Sequence, residues 1–314
     1  PANSSASGSH SESTAACWSC FPGSCAQHRR LPKIFKKKFQ RGFFTASAAR
    51  ESGGAPTLPP EQKIAWEKAV DFYMEFAKRD PLSDRDLVAA NYELSDAGNS
   101  KSLKGRRLPP AMQSVVEEAA PVYRALWWPE HDRRNHEWAI SAGSLVQEYL
   151  PRIVRRIAVA YQTDWPKEAI TTEVVTYANW AGAYTVTNST LITISSTDPA
   201  GQGYAALETL FHEASHAMVN NFQKQLDDHL HAVGKSATFQ LTHAIIFYTA
   251  GTLITEALNT KNIHDYVPYA IKNGLYDRVA DWKHYRDICE KDWLPYLDGK
   301  TSFDAALTNL AADF

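Results

Sequence analysis

Cysteine is scarce in this chain of 314 residues: three of its four cysteines fall within the first 25, and Cys289 stands far from them. The body of the chain therefore holds no cysteine pair and must depend on an apolar core, for which 44% hydrophobic and 22% charged residues are enough. Long apolar runs are missing too. A membrane span needs about 18 uninterrupted residues, and the longest candidate, 237–258, is broken by Gln240, His243 and Glu256. The chain is expected to be soluble, with no membrane span. A basic surplus is also absent from the body. Residues 26–50 carry eight Lys/Arg and no Asp/Glu, leaving 25 basic against 35 acidic residues, a net −10, elsewhere. An acidic body argues against nucleic acid as a partner, because phosphate binding needs a basic face. No internal repeat is present.

What is there divides into three. Residues 1–56 are Ser/Ala/Gly-rich, then basic and aromatic, and read as a disordered or targeting-like leader. Within it Cys17, Cys20, Cys25 and His28 have a spacing that could close a small structural zinc site. Residues 57–172 show apolar positions at three- and four-residue intervals over 61–79, 83–95, 110–126 and 132–161, which predicts a helical lobe. Residues 173–314 begin with two β-branched segments, 173–177 and 191–195, joined through Asn188-Ser189-Thr190, that read as a β-hairpin or as two strands of a small sheet. Helices are predicted around 203–225 and 237–259, with two or three more beyond. The expected fold is α+β and predominantly helical, with a small antiparallel sheet packed by one helix of special composition.

That helix contains Leu210-Phe211-His212-Glu213-Ala214-Ser215-His216-Ala217. Residues four apart on a helix share a face, so two imidazoles can reach one zinc ion while the glutamate beside them reaches its water. At this content of His and Glu, the five-residue pattern arises by accident roughly 0.02 times per chain. Catalytic zinc commonly has three protein ligands and one water. The longer motif with a third histidine is closed, because Val219 and Phe222 occupy the positions its glycine and histidine need. Glu256 is the expected third ligand. Between Lys235 and Lys261 it is the only charged residue, embedded among Ile245, Ile246, Phe247, Leu253 and Ile254. An uncompensated carboxylate there would be costly, and a dication would remove the cost. Glu290, in a charged stretch, reads as part of a solvated face. His131 and Asp132, and His229 and His231, read as surface groups or as neighbours of a site rather than ligands.

An HExxH pair followed on a later helix by a glutamate resembles the thermolysin-like gluzincin group of zinc peptidases. The resemblance implies an α+β peptidase core over about 173–260. It also implies an edge strand before the motif helix that binds the substrate backbone, with Asn179, Trp180 and Tyr184 in the matching segment 178–184. The segments 127–132 and 177–184 also look like those of uncharacterised bacterial proteins. The expected activity is zinc-dependent hydrolysis of a peptide or protein substrate: one catalytic Zn2+ held by His212, His216 and Glu256, Glu213 as the base, and an oxyanion donor such as Tyr269, with Tyr266, Tyr276 and Tyr248 as competitors. A zinc hydrolase of a non-peptide bond, such as an epoxide, and a non-catalytic helical binding protein are the competing readings.

Overall fold

The computed structural model describes residues 58–76, 84–97, 100, 102–167, 169–178, 181–186, 191–236 and 238–314. The basic leader and the Cys17, Cys20, Cys25, His28 group lie outside them. The expected helices of the first half are present: α1 (Pro60–Phe76), α2 (Arg85–Ala97), α3 (Pro110–Leu126) and α4 (Trp128–Tyr161). Pro110 and Pro129 sit in the first turns of α3 and α4, where a missing N–H costs nothing and the fixed φ suits a helix. Gln162 ends α4 in a left-handed conformation, its N–H returning to the last carbonyls.

At 34 residues, α4 is about 50 Å long. Its buried residues Trp138, Ala142, Val146, Tyr149, Ile153, Ile157 and Ala160 recur every three or four positions, so a single stripe faces inward along most of its length. This stripe belongs to the main core, which α4 shares with the sheet and the C-terminal helices, whereas α1 and α3 pack on each other through Trp66, Tyr73, Val115 and Tyr123. The helical lobe expected to end at 172 thus hands its last helix to the second half of the chain.

The sheet differs from expectation. Strands β1 (Thr171–Val175), β2 (Ala183–Val186) and β3 (Leu191–Ser195) lie in the order β1-β3-β2. β1 and β3 pair in parallel and β2 and β3 antiparallel, which makes a mixed sheet. The two β-branched segments are strands of one sheet, as one of the two readings has it, but as parallel neighbours, and the hairpin is β2–β3. The short Ala183–Val186 stretch supplies too few alternating positions to register as a strand by pattern. Residues 187–190, including the expected turn, lie outside the described residues.

A 3-10 turn (Pro199–Gly201), capped by the Asp198 carboxylate on the Ala200 N–H, leads into α5 (Gly203–Ser215). A Cβ at Gly201 would lie 2.1 Å from the Ser195 carbonyl oxygen, so only glycine lets this turn close on β3. All of Ala206–Ser215 is buried, so α5 is the central helix, walled by the sheet, α4 and α7. Helices α6 (Asn220–Ala232) and α7 (Phe239–Asn259) follow. Then come the short turns α8 (Tyr269–Lys272) and α9 (Leu275–Arg278), α10 (Trp282–Ile288) running through a π-turn (Cys289–Trp293) into α11 (Leu294–Leu297), and α12 (Phe303–Asp313). By length and composition α7 could cross a membrane, yet 72% of its apolar window is buried inside this fold.

Candidate metal centre

His212 and Glu213 lie in the last turn of α5. At His216 the helix tightens: His216, Ala217 and Met218 N–H groups bond carbonyls three residues back, and the chain restarts as α6 at Asn220. The helix predicted over 203–225 is therefore two, and the motif closes the first. The His212 and His216 rings stand edge to face, their centroids 5.0 Å apart.

The third member is His243, from the second turn of α7. Its ring lies 5.2 Å from both other imidazoles, and its Nε2 is 3.3 Å from Nε2 of His212. The ligating atoms of all three fall within 4.8 Å of one another. Two nitrogens on a tetrahedral zinc with bonds of about 2.0–2.1 Å stand about 3.3–3.4 Å apart, so the His212–His243 separation fits a shared ion. The chemistry of the donor set fits as well. Burial, followed by the neighbouring imidazoles, holds His212 well below its usual range. Burial pulls His216 down to about 4, and burial with His216 pulls His243 down to about 3. All three are neutral at pH 7, the form that ligates. His212 Nδ1 is buried without a hydrogen-bond partner among the described residues.

Glu213 is buried, and its carboxylate accepts a hydrogen bond of 2.7 Å from the Thr185 hydroxyl on β2. Burial raises its pKa to about 7 against the opposing effect of that bond. A carboxylate kept from water in this way is a stronger base than an exposed one.

Glu256 does not join the cluster. It lies 13 residues beyond His243 on α7, about 20 Å along the axis. Its carboxylate is paired with Arg152 at 2.9 Å and Arg156 at 2.8 Å, both on α4. The compensation demanded by a carboxylate in an apolar helix is real, but two arginines a hundred residues away supply it. His243 carries the same signal in sequence, a lone imidazole in an apolar helix.

Tyr184 is a second correction. Thr185 faces α5, so its neighbour Tyr184 points to the opposite face of the sheet, where it is buried with Val88 and Tyr92 of α2. It does not offer its side chain to a substrate. Asn179 and Trp180 lie outside the described residues. Tyr269 is a third. Its backbone N–H donates to the Glu208 carboxylate at 3.0 Å, and its phenol is pushed up by burial first, with the charges of Asp198, Arg278 and Glu208 acting on it as well. Asp198 precedes α5, whose other end carries the histidines. Tyr266 donates to Glu208 at 2.6 Å, and Tyr276 donates to the Ala244 carbonyl at 3.3 Å. Tyr266 is thus committed to a residue one turn before His212, and Tyr276 to the backbone of the residue that follows His243. Elsewhere, Glu290 pairs with Arg286 and His229 meets Asp304, as solvated groups do. His131 is buried against the Tyr123 hydroxyl at 2.7 Å, linking α3 to α4.

Glu208, one turn before His212, was not singled out in the sequence. It is 1% exposed, and burial raises its pKa to about 7 although Tyr266 and the Tyr269 and Ala270 N–H groups oppose the shift. It clamps the segment following α7 onto α5, where Gly251 lets Pro268 approach: a Cβ there would come within 2.7 Å of the proline ring.

Comparison of the chain with protein families, with curated proteins and with solved structures found no match in any of the three.

Proposed function

We propose that the chain is a zinc-dependent hydrolase of the HExxH type, a metallopeptidase that cleaves peptide bonds, with His212, His216 and His243 as its metal ligands. The observation that carries this reading is the meeting of three neutral imidazoles with their ligating atoms within 4.8 Å of one another, the His212–His243 pair at the nitrogen spacing of a tetrahedral zinc site, and the motif's glutamate buried beside them. A zinc ion bound there would polarise a carbonyl and acidify a water molecule.

The chain's own groups supply the rest. The three imidazoles bring no charge, so a bound dication would keep its full positive charge. Glu213 takes a proton from the attacking water and returns it to the departing nitrogen, so the C–N bond breaks as the C–O bond forms, giving a carboxylic acid and an amine. Thr185 fixes the Glu213 carboxylate against β2 through its hydroxyl. Burial around His212, Phe211 and Leu207 keeps bulk water from this side of the site.

Metal analysis of the purified chain, followed by hydrolysis assays on a peptide library beside ester and epoxide substrates, tests the proposal. One equivalent of zinc and peptide cleavage abolished by chelation are expected. A chain that takes up no zinc would overturn it, and cleavage of only the non-peptide substrates would move the reaction to another bond.

A further inference from the structure

The histidine cluster has an aromatic flank that metal binding alone does not require. Phe247 stacks on His212 with centroids 3.7 Å apart, and Trp282 meets His243 edge on at 5.6 Å. Phe239, one turn before His243 on α7, tilts against it at 5.1 Å. Phe247 and Trp282 also touch, 5.7 Å apart. Trp282 is buried, and its Nε1–H is spent on Gln240, so it presents carbon to this side. Phe239 is 66% exposed.

An exposed phenylalanine standing alone would mean little, since folded surfaces are largely apolar. Phe239 differs from the similarly exposed Ile64 and Ile140 because its ring touches a candidate metal ligand and continues a wall of two further aromatics. The α7 side of this flank is also uncharged, and the charged neighbours of Trp282, Asp281 and Lys283, are exposed. Glu256 is the one ionisable side chain of α7 apart from His243 and Tyr248, and it is bound to arginines about 20 Å away. Lys235, at the approach to α7, spends its ammonium on the Ala311 and Ala312 carbonyls of α12.

We propose that Phe239 and Phe247, backed by the buried Trp282, form an apolar bay beside the cluster that receives an aromatic or large apolar, uncharged group of the substrate next to the bond cleaved, with Phe239 as the specificity-determining residue. This rests on the hydrolase reading. Covering Phe239 with such a group removes apolar area from water on both partners, and ring-on-ring packing adds to it.

Two zinc-chelating probes separate this inference from its premise: acetohydroxamate, which offers only the chelating head, and 3-phenylpropionohydroxamate, which adds an aryl arm. Their affinities for the zinc-loaded protein are measured by calorimetry in wild type, Phe239→Ala and Ile64→Ala. In wild type and Ile64→Ala the aryl compound should bind about tenfold or more tighter, and in Phe239→Ala most of that ratio should vanish at one equivalent of zinc. Equal affinities in wild type, or a ratio that survives Phe239→Ala, would overturn the bay while leaving the metal centre standing. Failure to load zinc would overturn both. Sedimentation supplies the remaining outcome: a dimer that Phe239→Ala dissociates, without aryl preference, would assign the patch to a second copy of the chain and overturn the inference.

Discussion

Glu256 and His243 sit on the same helix, and removing each should produce opposite defects. In Glu256→Ala the lost interactions are two charge-assisted ion pairs, to Arg152 and Arg156, on a side chain 35% exposed. Exposed pairs are worth about 0.2–1 kcal/mol each, and solvent screens this one in part. The expected cost is about 0.4–2 kcal/mol, or a melting temperature lower by roughly 1–8 °C for a folded unit of this size. Zinc content should stay at one equivalent, because the lost carboxylate is about 20 Å from the histidines. In His243→Ala one of three ligands is gone. Loss of a mere outer partner weakens metal by about 10–100-fold, so loss of a ligand should exceed that range. Zinc at a hundred times its dissociation constant contributes about 2.7 kcal/mol to folding. Chelator should therefore lower the melting temperature of wild type and of Glu256→Ala, and barely move that of His243→Ala.

Competitive zinc titration with a chromophoric chelator, paired with thermal melts with and without EDTA, reads both quantities. If Glu256→Ala loses zinc while His243→Ala keeps it, the assignment of the third ligand is wrong and the carboxylate must swing to the metal in solution.

Glu213→Gln should retain zinc but lose about 10²–10⁴-fold in turnover, since it removes the base and keeps the size; zinc loss in this variant would make Glu213 a ligand instead. Glu208 has a signature in pH. Its carboxyl stays protonated in the fold up to about pH 7 but ionises in the unfolded chain near its ordinary value of 4.5. The folded state therefore binds more protons between those values, and stability falls as pH rises through that window. Glu208→Gln should flatten this part of the stability–pH curve relative to wild type in denaturant titrations, and parallel curves would show that the buried carboxyl is not the source. Gly251→Ala should destabilise by about 1–3 kcal/mol by driving Pro268 off α7, visible in the denaturation midpoint; a neutral effect would mean the segment yields without strain.

The helical half of the fold was legible because it is written locally. The stripe of α4 repeats every three or four residues over most of 34, and no other element is needed to see it. The sheet was less legible. β1 and β3 were visible as β-branched segments, but parallel pairing is a non-local choice, and a four-residue β2 between glycine and polar residues carries little period of its own. HExxH was legible for the same reason as α4: the spacing itself is the geometry, and the three motif residues lie together at the end of one helix.

The proposed third ligand exposes the limit of that reasoning. Arguing that a polar group in an apolar helix must be compensated is sound, and α7 carried two such groups, His243 and Glu256. What sequence cannot assign is which compensation each receives, because that depends on what packs against each turn. The first half of α7 faces the end of α5 and meets two histidines; the second half faces α4 and meets Arg152 and Arg156. A carboxylate needs positive charge and finds it in the arginines. A neutral imidazole beside two others gains nothing from them as an ion, since like charges would repel, and is best stabilised by a cation they share. The charge state of each group thus separates the two fates: the ion pair belongs to the scaffold, and the uncharged triad is the group left available for a metal.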